Sequence, residues 1–347
     1  MSHGAIDNLM RAAIAVFDEA GDTNSLRALR WEETPREPLE GVTYSKNKTD
    51  LSSGDFNLIG GTAWLWANPE MRQSRVDVLL VDEAGQLSLA DALASTGGTH
   101  NMLLLGDPLQ LAQVAKAEHP GGAGASVLEH ILGEHVTIPD TEGVFIAETW
   151  RMHPDVCRFI SRQIYEGRLS ANEFCRQQTT QFGTGLRWLR AQHQRRSTQS
   201  PEESDVVLAQ ISLMLGTPWT NQKGEIAPLT PRDFMVVAPY NDQVNLMTEA
   251  CQARPELRGV QVGTVDKFQG REAPVVFFTM TTSSAQDMPR GPEFLFSRNR
   301  LNVAISRARC LAYLVCTEEL LNSRAHDIDD MRLISTLSAF VEYAQGR

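Results

Sequence analysis

Two adjacent carboxylates, Asp82 and Glu83, follow directly on the apolar run Val76–Val81, whose one exception is Asp77. The run reads as a strand, and open α/β sheets bind ligands beyond the carboxyl ends of their strands. A pair of acids at such a place can divide the work of nucleotide hydrolysis. The first holds Mg2+, usually through water, because Mg2+ prefers oxygen ligands and phosphates. The second takes a proton from the attacking water. The same pair could instead cap the following helix, where negative charge is favoured. Gly85-Gln86 behind it, and Gly106-Asp107-Pro108-Leu109-Gln110 further on, weigh against that plainer reading. The second block follows another apolar run, residues 102–105, and its Gly and Pro force a sharp exit from the sheet. Asp107 and Gln110 are then presented beside the same pocket. A glutamine accepts from water and donates to a phosphate oxygen, which suits it to sensing a γ-phosphate.

Three further blocks follow in order: Trp150-Arg151-Met152-His153-Pro154, Gly263-Thr264-Val265-Asp266-Lys267-Phe268-Gln269-Gly270-Arg271-Glu272, and Leu301-Asn302-Val303-Ala304-Ile305-Ser306-Arg307-Ala308-Arg309. Arginine stays charged and forks onto phosphate oxygens. Read in isolation, Arg151 and Arg307 fit surface or interdomain ion pairs better than a phosphate. No segment matches the phosphate loop G-x-x-x-x-G-K-[ST]. Residues 119–124 are rich in glycine but hold no lysine, and they read as a linker.

The elements that must position these residues are legible in outline. Ile6, Leu9, Met10, Ala13, Ile14 and Phe17 share one stripe of a helix over residues 4–19, which Gly21 ends. Residues 22–55 are polar and read as loop or a small excursion. The runs at 76–81 and 102–105 lack period-two alternation, which predicts strands of a parallel sheet buried on both faces. Trp64 and Trp66 alternate near a strand and read as core packing. A second unit starts near Thr149. Residues 176–200 read as an exposed insertion, and Ser200-Pro201-Glu202-Glu203 as a helix start with a capping box. Phe234–Ala238, 275–280 and 311–316 read as strands, and Leu333, Ile334, Leu337, Phe340 and Val341 mark a closing amphipathic helix. Alternating strands and helices in two blocks predict two α/β domains with mainly parallel sheets, at 1–148 and 149–347.

The bulk composition bounds the function. At 347 residues with a net charge of -11, the chain is not one that coats nucleic acid with its whole surface. A local basic track is still allowed. Arg187, Arg190, Arg195 and Arg196 fit a solvated loop, whereas Arg298, Arg300, Arg307 and Arg309 overlap the last block. Five scattered cysteines without a CxxC pair fit reduced thiols in the cytoplasm. No HExxH, signal peptide or membrane-length apolar run is visible.

Together the five blocks resemble motifs II to VI of superfamily 1 helicases, and more narrowly the branch that includes the nonsense-decay helicase and replication nuclease-helicases. The resemblance implies two RecA-like P-loop NTPase domains that bind ATP and Mg2+ and couple hydrolysis to movement along single-stranded DNA or RNA. By matching positions it implies Mg2+ at Asp82 and a general base at Glu83. Gln110 and Asp107 would lie at the phosphates, and Arg151 and the finger Arg307 would reach the γ-phosphate. Gly270 and Glu272 would face the nucleotide. Thr62, in Gly60-Gly61-Thr62, and Thr264 match positions that touch strand phosphates, and Tyr240 either stacks or packs. The stretch from 280 to 343 is also similar to bacterial proteins that fuse a RecB-like nuclease to such a helicase.

The family pattern runs strand, phosphate loop and helix before a segment like Ser2-His3-Gly4-Ala5-Ile6-Asp7-Asn8-Leu9, with which this chain begins. The resemblance therefore implies a first domain truncated at its N-terminus, with unpaired sheet edges and an uncovered apolar face. Three expectations follow from it. The chain is the C-terminal part of an ATP-driven helicase whose Walker A loop lies upstream, or a nucleic-acid binder that does not hydrolyse ATP, or a subunit of a composite ATPase. On any of these, little hydrolysis is expected from the 347 residues alone.

Overall fold

The structure, a computed structural model, describes residues 3–346 apart from 36, 112–123 and 325–327. Most of the glycine-rich stretch at 119–124 thus lies outside the described residues. The chain divides into two compact units, Met1–Glu134 and His135–Arg347. Among the described residues no helix is long and apolar enough to cross a membrane.

The first unit opens with helix α1 (His3–Glu19), whose Ile6 and Met10 pack on Ala28, Val42 and Leu58. Those three residues belong to a parallel sheet of strands β1 (Ala28–Arg30), β2 (Val42–Tyr44) and β3 (Leu58–Gly60), in the order β2-β1-β3. The polar stretch expected as loop at 22–55 therefore contains two strands and a short helix, Lys48–Ser52. Three-residue strands are too short to impose a pattern, and the strand position Arg30 interrupts the apolar signal. Arg30 is fully buried because its charge is paired, at 2.8 Å from Asp7 and 3.2 Å from Glu32.

Two more strands, β4 (Val76–Val81) and β5 (Thr99–Leu104), pair in parallel with Val81 opposite Leu104. Leu79 and Val81 pack into a core with Leu65, Trp66 and Met71, joined by Ala92 of helix α2 (Leu89–Ser95). Val78, Leu80 and Leu103 stand about half exposed. Burial on both faces, expected from the unbroken apolar runs, is therefore not found here. The two strands make a sheet of their own, and one of its faces is uncovered. Trp66 is buried as expected, but Trp64 is 86% exposed. Ser126 starts helix α3 (Val127–Leu132) with a capping box to Glu129.

The second unit is built on five parallel strands: β6 (Gly185–Arg190), β7 (Phe234–Ala238), β8 (Gln261–Thr264), β9 (Ala273–Thr279) and β10 (Ala308–Cys316). Their order is β8-β7-β9-β10-β6. Every residue of β7 and β9 is buried, so both faces of this sheet are covered. On one face, Val207, Ile211 and Met214 of helix α5 (Pro201–Met214) and Met247 of helix α6 (Asn241–Gln252) pack against Phe234, Val236, Val275 and Phe277. Helix α4 (Pro154–Ile164) meets the closing helix α8 (Ile328–Ala344) through Phe159 and Phe340, whose rings lie edge to face at 5.4 Å.

The expected exposed insertion at 176–200 is instead in part β6, an edge strand of the main sheet. Its arginines hid it, because an edge strand carries polar residues on the side away from the core. Ser200 does cap α5, accepting from the Glu203 amide at 3.1 Å. The reciprocal half of the expected box is not made, since the Ser200 amide donates to Gln243 Oε1 at 2.8 Å. Glu203 is fully buried, 3.0 Å from His193 Nε2, and accepts from the Thr281 amide at 2.9 Å and from the Thr279 hydroxyl.

Candidate active site

In the first unit the two carboxylate-bearing turns are locked together. The Leu105 amide donates to the Val81 carbonyl and the Ala84 amide to the Leu105 carbonyl, both at 2.8 Å. The strand ladder thus continues past β4 and β5 into the loops. A Cβ on Gly85 would stand 2.7 Å from the Asp107 carbonyl oxygen, and one on Gly106 2.7 Å from the Ala84 nitrogen. Glycine is required at both places by this close approach. Asp82 and Glu83 are half-buried at the carboxyl end of β4, with Asp82 Oδ1 accepting from the Glu83 amide at 2.9 Å. Glu83 adopts φ 55°, in the left-handed region that a non-glycine residue rarely occupies and that recurs where backbone strain serves a function. Gln110 Nε2 donates to Asp107 Oδ2 at 3.0 Å, and the other oxygen of Asp107 accepts from the Leu109 amide at 2.9 Å. The fold therefore brings Asp82, Glu83, Asp107 and Gln110 onto two interlocked turns.

In the second unit the last three motifs converge on Glu272. Arg151 Nε donates to Glu272 Oε2 at 2.8 Å, and Arg151 Nη1 to the Ser306 carbonyl at 3.2 Å. Arg309 Nε lies 3.7 Å from the other oxygen of Glu272 and donates to Gln178 Oε1 at 3.1 Å. Gln178 in turn donates to the Arg151 carbonyl at 2.8 Å. Arg307 ends helix α7 (Arg298–Ser306) and is 3% exposed, with its Nε donating to the Val303 carbonyl at 3.2 Å. Gly270 has φ 75°, open to glycine at little cost, in the turn between β8 and β9.

Of the residues expected at a strand, Thr62 and Thr264 each precede a short helical turn, and neither side chain makes a capping bond. Tyr240 is 7% exposed and stacks on Phe294, with centroids 5.5 Å apart. It packs. Burial also raises the pKa of its hydroxyl above the ordinary value.

The sequence left Gln178 and Arg309 without assigned roles. Gln178 could not be found from spacing, because it lies far from every motif in the chain. Arg309 carried a signal: it closes the last motif two residues after Arg307, at the start of β10.

A family described as an AAA domain matches residues 123–319, more than half of the chain. The chain belongs to this family. Helicase sen1 of Schizosaccharomyces pombe is 26% identical over 92% of the chain and 20% of its own length. The regulator of nonsense transcripts 1 homolog of Arabidopsis thaliana is 25% identical over 84% of the chain and 23% of its own length. The DNA replication ATP-dependent helicase/nuclease DNA2 of Gallus gallus is 26% identical over 76% of the chain and 25% of its own length. These relatives place the AAA domain in the superfamily 1 helicases, on the nonsense-decay branch. The chain spans a quarter or less of each of these three. Among solved structures, the arterivirus nonstructural protein 10 helicase aligns with 90% of the chain and 51% of its own, at 17% identity and a TM-score of 0.44.

Proposed function

We propose that these 347 residues form the motif II to VI part of an ATP-driven, single-strand nucleic-acid helicase or translocase. The observation that carries this reading is the interlock of the two turns holding Asp82, Glu83, Asp107 and Gln110. Such rigidity suits a hydrolytic site, where groups must be held in place before the reaction. Asp82 supplies one carboxylate, which fits Mg2+, an ion that keeps several waters and takes its remaining ligands from phosphate. Bound there, Mg2+ would neutralise charge on the phosphates. Glu83 would accept the proton of the attacking water, and Gln110, held by Asp107, would report the presence of a γ-phosphate. Arg151 and Arg307 would stabilise charge developing on that phosphate, with Glu272 aiming Arg151 until nucleotide is bound. Gly270 would allow the motif V turn to approach the nucleotide. Thr62 and Thr264 would touch the strand through its phosphates, so binding is independent of sequence.

The absence of any G-x-x-x-x-G-K-[ST] loop from the sequence favours a second reading beside this one. The 347 residues would then bind a strand without hydrolysing ATP, or would hydrolyse it only with a phosphate loop supplied by another chain.

ATP hydrolysis by the purified chain, with and without single-stranded DNA or RNA, tests these statements against a Glu83→Gln control. We expect the chain alone to stay at the control level. Joined to a segment carrying a phosphate loop, it should show strand-stimulated hydrolysis, which Glu83→Gln lowers by roughly 100-fold or more. Full activity in that variant would overturn the assignment of the base. Stimulated hydrolysis by the 347 residues alone would overturn the need for a separate loop.

A further inference from the structure

Phe294 gathers an unusual set of partners. Besides the Tyr240 ring, the Arg290 guanidinium lies 4.5 Å from its centroid and the Arg300 guanidinium 4.2 Å. Two like charges on one ring repel, and the ring's quadrupole offsets this only in part. Opposing negative charge is thin. Asp266 reaches Arg300 at 4.0 Å from a side chain that is mostly exposed. Arg290 is exposed and makes no ion pair among the described residues. Burial lowers the pKa of Arg300, with Asp266 opposing and Arg290 adding to the effect. The cluster thus holds more positive charge than its own surroundings neutralise.

Its position in the fold is equally specific. Tyr240 follows β7, Asp266 follows β8, and the segment carrying Arg290 and Phe294 follows β9. These are neighbouring parallel strands, and their carboxyl ends are where an α/β sheet receives a ligand. Thr264, the expected strand contact, ends β8.

We propose that Arg290 and Arg300, held on the Phe294 ring, clamp the phosphodiester backbone of a single nucleic-acid strand as it passes Thr264. The inference rests on the strand-binding part of the reading above. A planar guanidinium forks onto phosphate oxygens, and stacking on the ring fixes its orientation before the strand arrives. Tyr240 backs the ring as a positioning residue. The clamp reads charge and spacing, not bases.

The test is fluorescence anisotropy of a fluorescein-labelled oligothymidylate with the 347-residue chain over a series of salt concentrations. Every phosphate that the protein no longer neutralises should reduce the slope of log affinity against log salt by about 0.7 for a single strand. Arg290→Ala should lower the slope by that amount, and Arg290→Lys, which keeps the charge, should restore it. Arg290 is exposed, so neither variant threatens folding, and matched circular dichroism melts check this. Wild-type binding with an unchanged slope in Arg290→Ala would overturn the clamp and leave the helicase reading standing. No binding by the wild type would overturn both. Inorganic triphosphate is the second arm. If it competes with the wild type but not with Arg290→Ala, while the oligonucleotide slope is unchanged, the arginines serve a nucleotide and the strand assignment is wrong.

Discussion

At the scale of single residues, the two carboxylate-bearing turns depend on side chains that are missing as much as on those present. Gly85 and Gly106 let the turns after β4 and β5 touch, and this close approach sets the spacing of Asp82 and Glu83 from Asp107 and Gln110. Gly85→Ala places a methyl group 2.7 Å from the Asp107 carbonyl oxygen, a backbone atom that cannot rotate away. We expect it to destabilise the first unit by roughly 1–3 kcal/mol, the usual cost of overpacking. The check is the urea midpoint of that unit. An unchanged midpoint would show that the two turns are not pressed together. The glycines were visible in the sequence as parts of two motifs, but their mutual approach was not, since it joins residues on separate strands.

At the scale of elements, helix α4 begins on a titratable cap. His153 Nδ1 accepts from the Asp155 amide at 3.1 Å, which requires that nitrogen to be unprotonated. Burial lowers its pKa from the ordinary 6.5, with Asp155 pulling the other way. The unfolded chain therefore takes up this proton first as pH falls. The contribution of His153 to stability is present above the unfolded value and is lost as pH drops through it toward the lowered folded value. His153→Asn keeps a capping acceptor that does not titrate. Comparing urea midpoints of the second unit at about pH 8 and about pH 5 should show a smaller loss in the variant. An equal loss in both proteins would remove His153 from the pH response. Pro154 at the first helical position fits this start, whereas the histidine's role as cap depends on how deeply the fold buries it.

At the scale of the whole molecule, the two units differ in how well their apolar surface is covered. The five-stranded sheet of the second is sealed on both faces, but Val78, Leu80 and Leu103 of the first stand about half exposed. Exposed apolar area forgoes about 25 cal/mol per Å2 of stabilisation. Unfolding should therefore not be a single two-state transition. Hydrogen exchange read by mass spectrometry should show the amides of β4 and β5 opening at lower urea than those of β7 and β9. Simultaneous opening of all four strands would contradict this. Thiol labelling gives a parallel readout, because all five cysteines are buried and all lie in the second unit. Burial pushes Cys157 and Cys251 up to about 11, so labelling should follow the later transition.

The sequence by itself determined the order of the motifs, the parallel α/β character and the three central strands of the second sheet, β7, β9 and β10, but not its edge strands β6 and β8. These are local properties: a motif, an apolar run or a cap is written in neighbouring residues. Only the tertiary structure decided what depends on distant partners. It turned Arg30 into a buried strand residue by pairing it with Asp7 and Glu32. It packed Tyr240 against Phe294 where the sequence left stacking and packing both open, exposed Trp64 while burying Trp66, and joined Arg151, Glu272, Arg309 and Gln178 into one network. Burial and pairing are set by which segments the fold brings together, and no local spacing records that.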